Sequence, residues 1–257
     1  MKYYLLMLLM ITVFSSCEKK KTDDQAETPE AEQVAGDVDQ SSLLTGAWTT
    51  SYTNEKGEEV EIMTIVEDGY LAETFYSLER REFVRTFGGT WLSKGNVFSI
   101  TTEFDTNDST SVGQTRVLTF DLKGDTILFE GDDKVWTKVD SNEPGALVGA
   151  WFFSGRERDG EMTRREFGAR RTLKILSGTR FQWVAYNVET AKFSGTGGGT
   201  YTTVDGKYTE NIEFFSKDSS RVGASLTFDY ELKDGEWHHK GLSSKGDPIH
   251  EIWAKRK

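Results

Sequence analysis

From residue 44 onward, apolar and polar side chains alternate over short segments, and no stretch keeps a helical period. Ala224, Leu226, Phe228 and Tyr230 share one face of such a segment, while Ser225, Thr227, Asp229 and Glu231 occupy the other. That is the pattern of a strand with one side on a core and one in water. β-Branched and aromatic residues between regularly spaced turn signals predict eight strands in the C-terminal half: 149–156, 170–176, 180–187, 192–204, 207–215, 224–232, 235–243 and 250–256. Ser177-Gly178, Asp205-Gly206 and Asp234-Gly235 mark tight hairpins, since Asp-Gly accepts the positive φ that both central turn residues need. The connections at 157–169, 187–191, 216–223 and 244–249 are longer. Alternate turns of an up-and-down barrel lie at opposite ends. One end is therefore predicted to be closed and the other to form an elaborated mouth.

The pattern occurs twice. Leu44-Thr45-Gly46-Ala47-Trp48 opens one copy and Leu147-Val148-Gly149-Ala150-Trp151 the other; Val135-Trp136-Thr137-Lys138 and Ile252-Trp253-Ala254-Lys255 close them. Between Met63–Gly113 and Leu173–Gly223 the offset is a constant 110, and fourteen of these 51 positions are identical, a register too long for chance. Gly88-Gly89-Thr90 repeats as Gly198-Gly199-Thr200. Leu118-Thr119-Phe120-Asp121 matches Leu226-Thr227-Phe228-Asp229 after a slip of two residues.

Two Gly-x-Trp openings (Gly46/Trp48 and Gly149/Trp151), each with a basic residue on the last strand, resemble the lipocalin-like (calycin) superfamily over residues 44 to 257. The resemblance implies that the last strand's cation lies over the first strand's tryptophan: Lys138 on Trp48, and Lys255 or Arg256 on Trp151. The expected fold is all-β, with two tandem eight-stranded up-and-down antiparallel barrels at 44–140 and 141–257.

The first residues change the cellular picture. Lys2 precedes a run of largely apolar residues ending in Ser15-Ser16-Cys17. The run is too short to span a bilayer and has the layout of a secretory signal. Its end resembles the lipobox of bacterial lipoproteins, and Cys17 is the only cysteine of the chain. The resemblance implies a signal peptide at 1–16, a lipid on Cys17 and a cell-envelope location on a membrane, the outer one being the expectation. Residues 17–43 are polar with almost no large apolar side chains, as expected of a lipid-attached flexible tether. A net charge of −11 argues against a nucleic-acid partner. The charge is unevenly divided: residues 44–140 carry 18 acids and 9 bases, and residues 141–257 carry 16 and 18.

The second copy gains seven residues after its first strand and seven before its last, both at the mouth end. This rim is basic, with Arg156, Arg158, Arg164, Arg165, Arg170, Arg171 and Lys245, and Arg221 stands where the first copy has Ser111. The rim is either a solvated face or a site for an anionic group: a ligand carboxylate, a phosphate or the acidic first barrel. Glu210 replaces Ile100 on the face shared by Tyr208, Ile212 and Phe214, and His239 replaces Phe129. A buried carboxylate or imidazole is costly without a partner, so both are expected either to be satisfied in a packed core or to line a wet cavity. The candidate pocket in the second barrel comprises Arg180, Trp183, Tyr186, Tyr201, Tyr208, Glu210, Phe214, Arg221, Phe228, Tyr230 and His239.

No catalytic serine motif, phosphate loop or paired-cysteine chemistry is present. His238 and His239 point to opposite faces of a strand, so no metal and no cofactor are expected. The leading expectation is a membrane-anchored protein that binds a small amphipathic or anionic molecule in its second barrel. Two alternatives stand beside it. One is a structural or protein-interaction module of the envelope. The other is an acid–base enzyme using Glu210 and His239.

Overall fold

The computed structural model describes residues 41–140, 145–243 and 246–256; Cys17, the tether up to residue 40 and Lys245 lie outside them, and the last residues assigned to the tether belong to a helical turn, Ser41–Leu44. The first copy forms a closed antiparallel barrel of β1 (Gly46–Thr53), β2 (Glu59–Glu67), β3 (Tyr70–Ser77), β4 (Glu82–Lys94), β5 (Val97–Asp105), β6 (Thr115–Lys123), β7 (Thr126–Phe129) and β8 (Val135–Asp140), each paired with its sequence neighbour. The second comprises β9 (Gly149–Arg158), β10 (Glu161–Arg164), β11 (Arg170–Leu176), β12 (Arg180–Asn187), β13 (Lys192–Val204), β14 (Lys207–Phe215), β15 (Ser225–Lys233), β16 (Glu236–Leu242) and β17 (Pro248–Lys255). Pairing of β9 with β17 closes it, and β10 lies beside β9 as an added strand. The first seven-residue insertion thus folds back as a β9–β10 hairpin. Among the described residues no helix is long and apolar enough to cross a membrane.

Each closure carries the cation expected from the resemblance. Lys138 Nζ lies 5.1 Å from the Trp48 ring centroid and Lys255 Nζ 5.1 Å from that of Trp151. Both indoles donate to a backbone carbonyl four residues upstream, Leu44 and Leu147, at 2.8 Å. The tight end is closed by turns such as Asp205-Gly206, with φ of 49° and 72°.

The two-residue slip read from Leu-Thr-Phe-Asp is not present. Val97 pairs with Thr119 in the first barrel and Lys207 with Asp229 in the second, so the offset stays 110 and Leu118 is the counterpart of Phe228. A slip of two keeps every residue on its face, so alternation cannot detect it.

The repeated glycines explain how the barrels meet. A Cβ on Gly89 would lie 2.1 Å from Thr101 O, and one on Gly199 2.1 Å from Asn211 O. Only glycine lets the neighbouring strand approach this closely. At these points Gly88 pairs with Phe104 but Gly89 with Thr102, and Gly198 with Phe214 but Gly199 with Ile212. Glu103 and Glu213 are left as the extra residues of two β-bulges, which re-aim the side chains that follow. Phe104 and Phe214 thereby leave the lumens and join a core between the barrels with Tyr76, Tyr186, Met63, Ile65, Leu173 and Ile175.

That core has an approximate two-fold relation. Tyr76 donates to Glu213 Oε2 at 3.1 Å, and its counterpart Tyr186 donates to Glu103 Oε2 at 2.6 Å. Tyr76 packs on Phe214 with ring centroids 4.9 Å apart, and Tyr186 on Phe104 at 4.8 Å. Phe83 stacks on its own counterpart Phe193, and Gln182 Nε2 donates at 3.0 Å to both Thr86 and its counterpart Thr196. Residue i meeting j, and j meeting i, is the geometry of an isologous dimer. Here it lies within one chain.

Candidate functional site

Counterpart positions of the two lumens carry side chains of different size, and this decides which barrel is hollow. In the second barrel, Lys174, Leu176, Phe181, Glu210, Trp237 and His239 stand where the first has Thr64, Val66, Leu71, Ile100, Ile127 and Phe129. The second lumen carries the bulkier side chains. Tyr208 and Trp237 are fully buried, their rings 5.1 Å apart, and Trp253 lies 6.0 Å from Trp237. Lys174 Nζ sits 2.8 Å from Glu210 Oε1 and within 5.3 Å of the ring centroids of Tyr208, Trp237 and Trp253. His239 lies against Phe228, ring centroids 4.1 Å apart, with Glu251 Oε2 3.7 Å from its Nδ1. Burial and the nearby Lys174 cation push the imidazole's pKa down, so it is neutral. Glu210 and His239 do face inward, but their surroundings are a packed polar core. An acid–base pair must reach a substrate, and these two are enclosed by aromatic rings.

The other residues of the expected pocket scatter. Trp183, Tyr201, Tyr208, Phe228 and Tyr230 belong to the second barrel's own core. Tyr201 donates its hydroxyl to Ser177 O. Tyr186 and Phe214 do not line the lumen but pack between the barrels: Tyr186 has the parity opposite to Trp183, and the bulge at Glu213 reverses Phe214. Arg180 pairs with Glu213 at 2.8 Å on the outside, and Arg221 with Asp218 at 3.2 Å in a short 3-10 turn. The basic rim is partly occupied too. Arg164 pairs with Glu236, and Arg171 with Glu103 of the first barrel. Of the anions considered for this rim, the acidic first barrel therefore supplies one. Among the described residues no group of three or more His, Cys, Asp or Glu side chains is placed to hold a metal ion.

The first barrel contains a cavity of about 440 Å³, within the range of small-molecule sites (~300–1,000 Å³). Trp48, Ile62, Leu71, Phe98, Ile127 and Trp136 line its apolar depth. Its mouth lies among the longer loops, where Arg85 stands near the start of β4, Asp105 ends β5, Arg116 is the second residue of β6 and residues 130–134 precede β8. Asp105 accepts from the amides of Asn107 and Asp108, and Asp132 pairs with Lys134 at 2.9 Å. Arg85 and Arg116 differ. Their guanidiniums rest 3.6 Å above Phe75 and 5.2 Å above Phe87, and neither belongs to an ion pair among the described residues. Stacking fixes each cation while its N–H donors stay available.

Thr64 and Glu73 are neighbouring polar side chains on the cavity wall. Glu73, in the middle of β3, accepts from the Thr64 hydroxyl at 2.9 Å. Burial raises its carboxyl pKa to about 7, against the pull of Thr64, Arg85 and Arg116. Glu73, Arg85 and Arg116 are absent from the expected site, although the signal was present. Their counterparts are Trp183, Gly195 and Leu226, and comparing the copies for polar gain in the first half, as well as in the second, exposes all three.

Residues 146–257 match a family described only as a domain of unknown function (DUF4488). The matched stretch is the second barrel and covers less than half of the chain. No curated protein matches.

Proposed function

We propose that the protein is a binding protein for a small amphipathic anion, held in the first barrel rather than the second. The apolar body of the ligand lies among Trp48, Phe98, Ile127 and Trp136, and its anionic head meets Arg85 and Arg116. The observation that carries this reading is the pairing of an apolar cavity with two stacked guanidiniums at its mouth that belong to no ion pair among the described residues. Burying an apolar chain contributes roughly 25 cal/mol per Å² removed from water. The arginines supply orientation, since charge-assisted hydrogen bonds fix an anion. The second barrel, with its larger inward side chains, supports the structural reading for that half: it covers one wall of the first. A lipid on Cys17 would hold the pair in the cell envelope, a placement supported by the signal-like residues before it.

The test is calorimetric titration of the chain from residue 18 onward with myristate. Arg85→Ala and Arg116→Ala are each expected to weaken binding by about 10-fold or more, the worth of a hydrogen bond to a charged group. Ile127→Trp, which copies the filled second barrel, is expected to abolish it, whereas Arg221→Ala leaves it unchanged. Binding that survives Ile127→Trp and ignores both mouth arginines places the ligand elsewhere and overturns the proposal.

A further inference from the structure

Glu73 is a carboxyl on a largely apolar wall, which it shares with Thr64. At the counterpart position the second barrel has Trp183, packed edge-on against Phe215 with ring centroids 5.6 Å apart, in a strand of identical length and pairing. A polar group in an apolar wall costs free energy unless its hydrogen-bonding capacity is used. The Thr64 hydroxyl uses part of it, at Oε2. A carboxyl has about four acceptor positions. Among the described residues no other donor lies within hydrogen-bond distance of Glu73, and the side chain lines the cavity. The guanidiniums of Arg85 and Arg116 act on it through space and not as ion-pair partners.

Resting on the reading of this cavity as an amphiphile site, we propose that Glu73 selects ligands that carry a hydrogen-bond donor on their apolar body. Hydroxylated amphipathic acids, acyl or polycyclic, are the class that fits. Three polar points then read the ligand. Two cations hold its head at the mouth, and one acceptor on the β3 wall meets a hydroxyl further in. An unsubstituted chain fills the same space but strips Glu73 of water without replacing the lost hydrogen bonds, and this penalty is the source of discrimination. Raised to about 7 by burial, the carboxyl is mainly ionised and a strong acceptor at pH 8.5.

The experiment compares myristate with hydroxymyristates bearing the hydroxyl at successive carbons, by calorimetry at pH 8.5 on the chain from residue 18 onward. One hydroxyl position is expected to bind about 10- to 100-fold tighter than myristate, the worth of a hydrogen bond to a charged acceptor. Glu73→Leu removes that preference and leaves the dependence on Arg85 and Arg116 intact. Glu73→Gln, which keeps an amide carbonyl of similar shape, retains part of it and serves if the leucine variant does not fold. Equal affinities for all chains, with both arginines still required, overturn the role of Glu73 while sparing the cavity. Binding that ignores both arginines overturns the cavity reading, and the proposal for Glu73 with it.

Discussion

Replacing Lys174 in the second barrel is expected to be among the most damaging single changes in the chain, and replacing Lys174 and Glu210 together among the mildest. The two side chains are 5% and 6% exposed, with their charges 2.8 Å apart. At an effective dielectric of about 20, their attraction is roughly 6 kcal/mol. Removing each ion from water costs several kcal/mol, so the intact pair nets close to zero against an apolar replacement of similar volume. Lys174→Met strands the Glu210 carboxylate among Tyr208, Trp237 and His239 at a cost of about 3–5 kcal/mol. Glu210→Leu should cost less, because the orphaned ammonium keeps three aromatic rings at 5.0 to 5.3 Å, each worth about 0.5–2 kcal/mol. The double variant Lys174→Met/Glu210→Leu is expected within about 1 kcal/mol of the parent, giving a coupling energy of several kcal/mol. Urea unfolding at pH 7.5 measures all four corners of the cycle. A single-variant cost below about 1 kcal/mol, or a double variant as unstable as the sum of the singles, would refute the packed-pair account.

Other regions give sharper or simpler tests. Glu67 is buried beside Asp68 and Asp140, and burial first, then those charges, raise its pKa from 4.5 to about 8. The folded chain therefore holds a proton that the unfolded chain has lost, so stability should fall as pH rises from about 5 to 8, by up to about 1.4 kcal/mol per unit. Glu67→Gln should flatten that slope in pH-dependent thermal unfolding. Tyr76→Phe and Tyr186→Phe should each destabilise by about 1–2 kcal/mol in urea. Near-equal costs are expected because the two hydroxyls meet counterpart glutamates, and a cost confined to one of them would contradict the two-fold relation. Gly199→Ala places a methyl 2.1 Å from Asn211 O at a φ of 154°, and a loss above about 2 kcal/mol is expected in thermal melts.

Much of the fold is legible in the residue pattern. Strands 170–176, 180–187, 192–204 and 207–215 coincide with β11 to β14 because alternation, β-branched residues and Asp-Gly turns all point the same way. The hairpin β10 is not legible: its Glu-Met-Thr-Arg is exposed throughout and alternates with nothing. The bulges at Glu103 and Glu213 are only half legible. The double glycines signal a bend, but alternation assigns Phe214 to the lumen, and a bulge reverses that parity without changing the composition. For the site, polarity drew attention to the interior of the second barrel. Glu210 and His239 announce an unusual interior, yet a lysine three strands away in sequence neutralises the one and a wall of rings encloses the other. Pairing between distant strands is a property of the closed sheet, and one strand read alone does not contain it.

Hollowness, by contrast, is a matter of volume, and in a duplicated chain volume can be compared position by position. Thr64 against Lys174, Leu71 against Phe181 and Ile127 against Trp237 each leave the first lumen emptier, while the surfaces that join the barrels have stayed matched. Tyr76, Phe83, Thr86, Glu103 and Phe104 recur unchanged as Tyr186, Phe193, Thr196, Glu213 and Phe214. A symmetric interface constrains both copies at once, because a change on one side must fit its own counterpart across the axis. Lumen residues carry no such constraint, so one interior is free to fill while the other stays open. An empty barrel forfeits packing contacts and is the less stable of the two. Docked on its twin through a buried aromatic face, it adds that shared core to its own ring of buried apolar side chains. On this view the two barrels are one device: the aromatic core they share is what permits the first to keep a cavity of about 440 Å³.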